Sequence, residues 1–168
     1  MQKTISISIS EIVYDIQNKT YLTGKSHADG ANHRQVAQMQ ANNDDDNLNQ
    51  ILRSIQMAVA NIRQELGEWI TANVADLSNK ELPDASKEIT LTVELPSNFN
   101  QTMARPLTDS IHSYIVAFAV SEWFVITNKA DAAQYTEIAA ESLKMVARSL
   151  SQRVRPTRKI GTGQPSIG

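Results

Sequence analysis

RPLTDSIHSYIVAFAVSEWFVITNKADAAQYTEIAAESLKMVARSLSQRVR, Arg105 to Arg155, is the stretch that decides the fold. Leu107, Ile111, Tyr114, Ile115 and Phe118 recur at helical spacing, and the run Ala119 to Ile126 then makes the segment apolar on nearly every side. A helix of that kind has to be buried by several neighbours. Thr127-Asn128-Lys129 gives only a short connection, and Asp131, three residues after Asn128, resembles a capping arrangement with a shorter acid. The returning helix carries the stripe Ala132, Tyr135, Ile138, Ala139, Leu143, Val146, Leu150 and Val154, whose alanines permit close packing, and it ends at Pro156. The reading is a helical hairpin that runs into a basic arm.

Upstream, Thr4-Ile5-Ser6-Ile7-Ser8-Ile9-Ser10 alternates β-branched apolar with small polar residues, which predicts a strand with its isoleucines on one face. Ser10 is then placed to cap a short helical turn through Glu11, Ile12, Val13 and Ile16, before Asn18 to Gly24 turns the chain. Residues 25–47, polar and poor in aliphatics, read as a loop or linker. From Leu48 the positions Ile51, Leu52, Ile55, Val59, Ile62, Leu66, Trp69, Ile70, Val74 and Leu77 keep helical spacing for about eight turns, with Asp44-Asp45-Asp46 at the positive end of the helix dipole. Gly67 within it costs about 1 kcal/mol relative to alanine, which a long apolar stripe absorbs. Asn79 to Lys87, with Pro83, is a break. Ile89, Leu91, Val93 and Leu95 alternate with Thr90, Thr92 and Glu94 in a second strand closed by Pro96. Two isolated strands are marginal, so they pair with each other or extend a neighbouring subunit's sheet. Asn98 to Pro106 is either a first helical turn or a loop.

The expected architecture is therefore mainly α: a long amphipathic helix plus a C-terminal helical hairpin, with two short strands and extended terminal arms. Residues 1–154 form one helical domain, including the N-terminal strand and the polar loop 25–47, and 155–168 form the basic arm. With 168 residues and 41% hydrophobic side chains the chain can build one real core. It has no cysteine, which removes disulfides, thiolate metal sites and a thiol nucleophile. The start, MQKTISISIS, lacks the apolar core of a signal peptide, and Ser121 and Glu122 interrupt the longest apolar run, so no membrane span is expected.

The net charge of −2 conceals an asymmetry. Residues 1–141 carry 10 bases and 18 acids, whereas 142–168 carry Lys144, Arg148, Arg153, Arg155, Arg158 and Lys159 with no acid, a balance of −8 against +6. Lys144 and Arg148 fit the negative end of the last helix dipole, but the four bases around Pro156 lie beyond it and suggest an anionic partner, nucleic acid or an acidic protein face. The remaining constellations are weaker. His27 and His33 lack the paired spacing of a zinc site and His112 stands alone, which favours structural or solvated histidines. A calcium loop starting at Asp44 would need glycine and glutamate where Asn49 and Ile55 stand, so the acids read as a helix cap. Glu122 reads as an exposed edge or a bridge across the hairpin rather than a buried acid. No phosphate loop, dinucleotide fingerprint, nucleophile elbow or HExxH occurs, so neither an enzyme nor a cofactor is expected.

Ser121-Glu122-Trp123-Phe124 at the end of one helix, Ala132-Ala133-Gln134-Tyr135 in the next, and Leu150 followed by Arg153-Val154-Arg155-Pro156 resemble small structural proteins of tailed bacteriophages, the head-to-tail connectors between capsid and tail. The likeness covers about a third of the chain and is a pattern rather than a diagnostic motif; the first hundred residues, with their strands, depart from the simplest all-helical connectors. What the resemblance implies is a virion neck protein, made in the host cytoplasm, that forms a ring of its own copies and docks on portal and tail proteins, with possible contact to packaged DNA. On that expectation the partner-binding residues are Lys144, Arg148, Arg153, Arg155, Arg158 and Lys159 in the arm, with Ile5, Ile7 and Ile9 in the strand. The alternative is a soluble helical nucleic-acid-binding or regulatory module that uses the same arm.

Overall fold

A computed structural model describes residues 1–71 and 84–156. In chain order these form β1 (Gln2–Ser8), α1 (Ile9–Ser26), α2 (His33–Met39), α3 (Asp45–Glu65), β2 (Glu88–Glu94), a single 3-10 turn (Gln101–Met103), α4 (Ala104–Thr127) and α5 (Lys129–Ser151). The architecture is mainly α with one small antiparallel sheet, as the hydrophobic periodicities require.

The hairpin is the centre of the molecule. α4 buries Leu107, Ile111, Tyr114, Ile115, Val116, Ala117, Ala119, Val120, Trp123 and Phe124, residues that between them occupy nearly the whole circumference of the helix. α5 covers one side, placing Ala132, Ala139, Val146 and Leu150 against it, with Phe124 and Tyr135 edge to face at 5.4 Å. α3 and α1 cover two others. Three details depart from the sequence reading. Val125 and Ile126 at the last turn of α4 are exposed at 53% and 67%, and Ile138 of the α5 stripe faces outward. Val154 lies beyond α5, which ends at Ser151. The segment Gln101–Thr127 is long and apolar enough to cross a membrane, yet more than half of its most apolar window is buried inside this chain.

β1 and β2 pair with each other, with Ile5 opposite Leu91 and Ile7 opposite Ile89. The strand ends at Ser8, two residues earlier than the alternation suggests, because Ile9 opens α1 while its N–H still completes the ladder to the Lys87 carbonyl at 3.1 Å. Ser8, not Ser10, holds the cap position, and its hydroxyl meets that of Ser10 rather than a helix N–H. α1 then continues straight through the expected turn at 18–24. Its buried stripe is Ile9, Ile12, Val13, Ile16, Thr20 and Gly24, where the last two take aliphatic places because other backbone must come close. Thr20 is fully buried; its hydroxyl donates to the Gln17 carbonyl and accepts from the Ala41 N–H at 3.1 Å. A Cβ on Gly24 would lie 3.0 Å from the Val36 carbonyl oxygen.

Those two contacts show that residues 25–47 are not a plain loop. The segment holds α2, buries Ala41 completely, and is fastened to the hairpin by the Trp123 indole N–H, which donates to the Met39 carbonyl at 2.8 Å. α3 starts at Asp45, behind Asp44 and with Asp45 and Asp46 in its first turn, and buries Ile51, Leu52, Ile55, Ala58 and Ile62. It stops at Glu65 instead of reaching Leu77. Leu66 and Gly67 turn the chain, and Trp69 to Thr71 run beside β2: Glu94 N–H donates to the Trp69 carbonyl at 2.7 Å and Thr71 N–H to the Thr92 carbonyl at 3.3 Å. Leu66, Trp69 and Ile70 keep helical spacing in sequence but are spent on a turn and a sheet edge. Val74 and Leu77 lie outside the described residues.

Replacing Thr20 with valine keeps the shape and leaves the buried Ala41 N–H without its acceptor. Urea unfolding of Thr20→Val should show a loss of about 1–3 kcal/mol, with α2 amides exchanging faster than those of α4.

Candidate assembly surface

The C-terminal exit is built by backbone pairing rather than by a helix running out. After Ser151 the chain turns and lies antiparallel to the segment before α4: Asn100 N–H donates to the Gln152 carbonyl at 3.2 Å, and Val154 N–H to the Asn98 carbonyl at 2.9 Å. Phe99, opposite Arg153 in this bridge, is 1% exposed and anchors it in the core. On the other strand of the bridge, Arg153 donates through Nη1 to the carbonyls of Leu150 and Gln152, and its guanidinium lies 5.7 Å from the centre of the Trp69 ring. It fastens the last turn of α5, the strap formed by Gln152 to Val154 and the turn that follows α3 to one another. Asn100 also accepts from Thr102 N–H and starts the 3-10 turn that leads into α4.

The bases named from sequence therefore separate by role. Arg153 is committed to the fold and is not an arm residue; its charge satisfies carbonyls left over at the helix end. Lys144 meets Glu141 at 2.6 Å in a solvent-exposed pair. Arg148 and Arg155 are exposed. Arg158 and Lys159 lie outside the described residues. The three strand residues lie in the core of this chain instead of on its surface. Ile5, Ile7 and Ile9 are 6%, 4% and 3% exposed, because a sheet of two strands must turn its apolar face to the core. Their side chains are spent on the core of this chain, and what β1 leaves open is its polar face and the backbone of its outer edge.

Histidines form two internal clamps that the sequence did not pair. His27 Nε2 meets Asp131 Oδ2 at 2.6 Å, joining the C-terminal end of α1 to the start of α5, and His112 Nε2 meets Asp15 Oδ2 at 2.8 Å, joining α4 to the middle of α1. Asp131 also accepts from the Asn128 side-chain amide, so the expected cap is reversed: the asparagine donates to the acid instead of accepting a helix N–H. Glu122 is half-buried. Among the described residues no three His, Asp or Glu side chains converge as metal ligands would.

Of the surface grooves that border the hairpin among the described residues, two are acidic. One, of about 740 Å³, runs between the outer faces of α4 and α5, with Ile138 and Met145 exposed between Asp109, Glu137 and Glu141. The other, of about 330 Å³, lies beside β1 and is lined by Ser6, Ser8, Glu11, Asp15, Asp109 and His112, among others. Both have acidic rims. No sequence motif announced either groove, since each is assembled from residues on separate elements.

Arg153→Ala should lower stability by about 1 kcal/mol and shift Trp69 fluorescence. The neighbouring Arg155→Ala should stay within about 0.5 kcal/mol of the parent in the same melt.

Compared with known proteins, the chain matches no family model, no curated protein and no solved structure.

Proposed function

We propose that this chain is a structural virion protein: a head-to-tail adaptor that forms a ring of copies between the portal and the tail of a tailed bacteriophage. The observation that carries the reading is the fixed root of the C-terminal arm. Because Gln152 to Val154 are paired onto Asn98 and Asn100 and held by Arg153, Arg155 and Pro156 leave from a defined point on a rigid hairpin. A segment with a fixed root reaches a defined neighbour at lower ordering cost than one that hangs from a fraying helix. The polar groups described above support a rigid body as well: both histidine clamps and the Trp123 bond join elements of this chain to one another.

Exposed Arg148 and Arg155, with Arg158 and Lys159 following in sequence, are the bases for an acidic face of the portal, of a neighbouring copy, or for packaged DNA. The same two exposed arginines favour a second reading, a nucleic-acid-binding module that grips phosphate.

The neck reading is tested by an amber codon at an early position of this gene in its phage. DNA-filled heads and separate tails that fail to join are expected; infectious tailed particles without the protein overturn the proposal. For the second reading, affinity for duplex DNA should fall steeply between roughly 50 and 200 mM salt, and a salt-independent affinity overturns it.

A further inference from the structure

β1 has two edges, and only one is used. Leu95 N–H to the Met1 carbonyl and Ile9 N–H to the Lys87 carbonyl bracket the ladder, so the odd-numbered residues of β1 turn their backbone groups toward β2. Gln2, Thr4 and Ser6 turn theirs the other way, and among the described residues nothing pairs with them. The outer edge of β2, by contrast, is covered by Trp69 to Thr71. Natural sheets protect an open edge with a proline, an outward charge or a bulge. This one has neither proline nor bulge, and its single charge, Lys3, lies on the face of Ile5 and Ile7; the side chains on the polar face are Gln2, Thr4, Ser6 and Ser8, and the register is unbroken.

We propose that this edge pairs with β1 of a second copy, antiparallel across a two-fold axis centred on Ile5. The pairing rests on three features. First, backbone groups that point outward can only meet partners of the same parity, and the register with Thr4 opposite Ser6 of the second copy overlaps the whole of Gln2–Ser8. Second, the polar-face side chains are uncharged, so two identical strands bring no like charges together there. Third, Lys3, the one base in the strand, falls opposite Ile7 of the second copy, beside the groove lined by Glu11, Asp15 and Asp109. Asp15 is shared with His112 and Asp109 with Arg105, while Glu11 is in no ion pair among the described residues. The two-fold repeats this contact, and the marginal two-stranded sheet becomes a four-stranded one with a continuous apolar face. An isologous contact closes at two copies. It therefore stands or falls apart from the neck reading.

The full chain should sediment as a dimer at roughly 100 µM; a monomer at that concentration overturns the proposal. Thr4→Pro removes an outward N–H and no bond to β2, and should raise the dimer Kd at least about tenfold with the circular dichroism unchanged. Lys3→Glu should weaken the dimer and Lys3→Glu with Glu11→Lys should restore it, which keeps the question decidable if the proline variant fails to fold. The chain lacks cysteine, so register can be read by mixing Thr4→Cys protein with Ser6→Cys protein: the mixed disulfide dimer is expected. A dimer that persists unchanged in Lys3→Glu and gives no mixed disulfide uses another surface and overturns it.

Discussion

A helix with apolar residues around nearly its whole circumference cannot rest on a surface; it has to be enclosed. α4 is that helix, and the positions of the other elements follow from the need to cover it. α5 returns along it because the connection is a single turn, and its small alanines let the two axes come close. α3 and α1 fill the remaining sides with their own aliphatic stripes. The sheet contributes the isoleucine face that no helix could supply from so short a segment. Where enclosure stops, at Val125 and Ile126, α4 ends and the chain turns.

Apolar burial alone does not choose one arrangement, since helices can slide on one another at little cost. Polar fasteners select the register here. Thr20 holds Ala41, Trp123 holds Met39, His27 holds Asp131 and His112 holds Asp15, each across a long stretch of chain. Each removes a buried or half-buried group from the risk of going unpaired, so a slide by one helical turn would leave several donors without acceptors. No buried side-chain nitrogen or oxygen among the described residues lacks a partner.

How much of this was legible depended on whether the signal was apolar. The hairpin, the strand alternation at Ile5 and Ile7, and the stripe from Ile51 to Ile62 could be read from the sequence because their periodicity comes from aliphatic side chains. α1 beyond Ile16 and the whole of α2 could not, because Thr20, Gly24 and Ala41 pack by being small or hydrogen-bonded. The end of α3 is hidden for the opposite reason: Leu66, Trp69 and Ile70 satisfy the helical template while serving a turn and a sheet edge. The charge asymmetry drew attention to the C-terminal exit, but it could not show that Arg153 is absorbed into the fold while Arg148 and Arg155 stay in water. Sequence gives the sign of a charge and not its neighbours.

The strap from Gln152 to Val154 also decides how the molecule carries load. If the chain beyond Pro156 is pulled, the tension does not peel α5 open from its last turn, because the strap lies between the two. It passes through the paired backbone to Asn98 and Asn100, and from Phe99 into the core, while Arg153 shares it with the end of α5 and with Trp69. Several contacts must yield together before any helix is lost. The described end of the chain is attached to the body by a rivet and not by a thread.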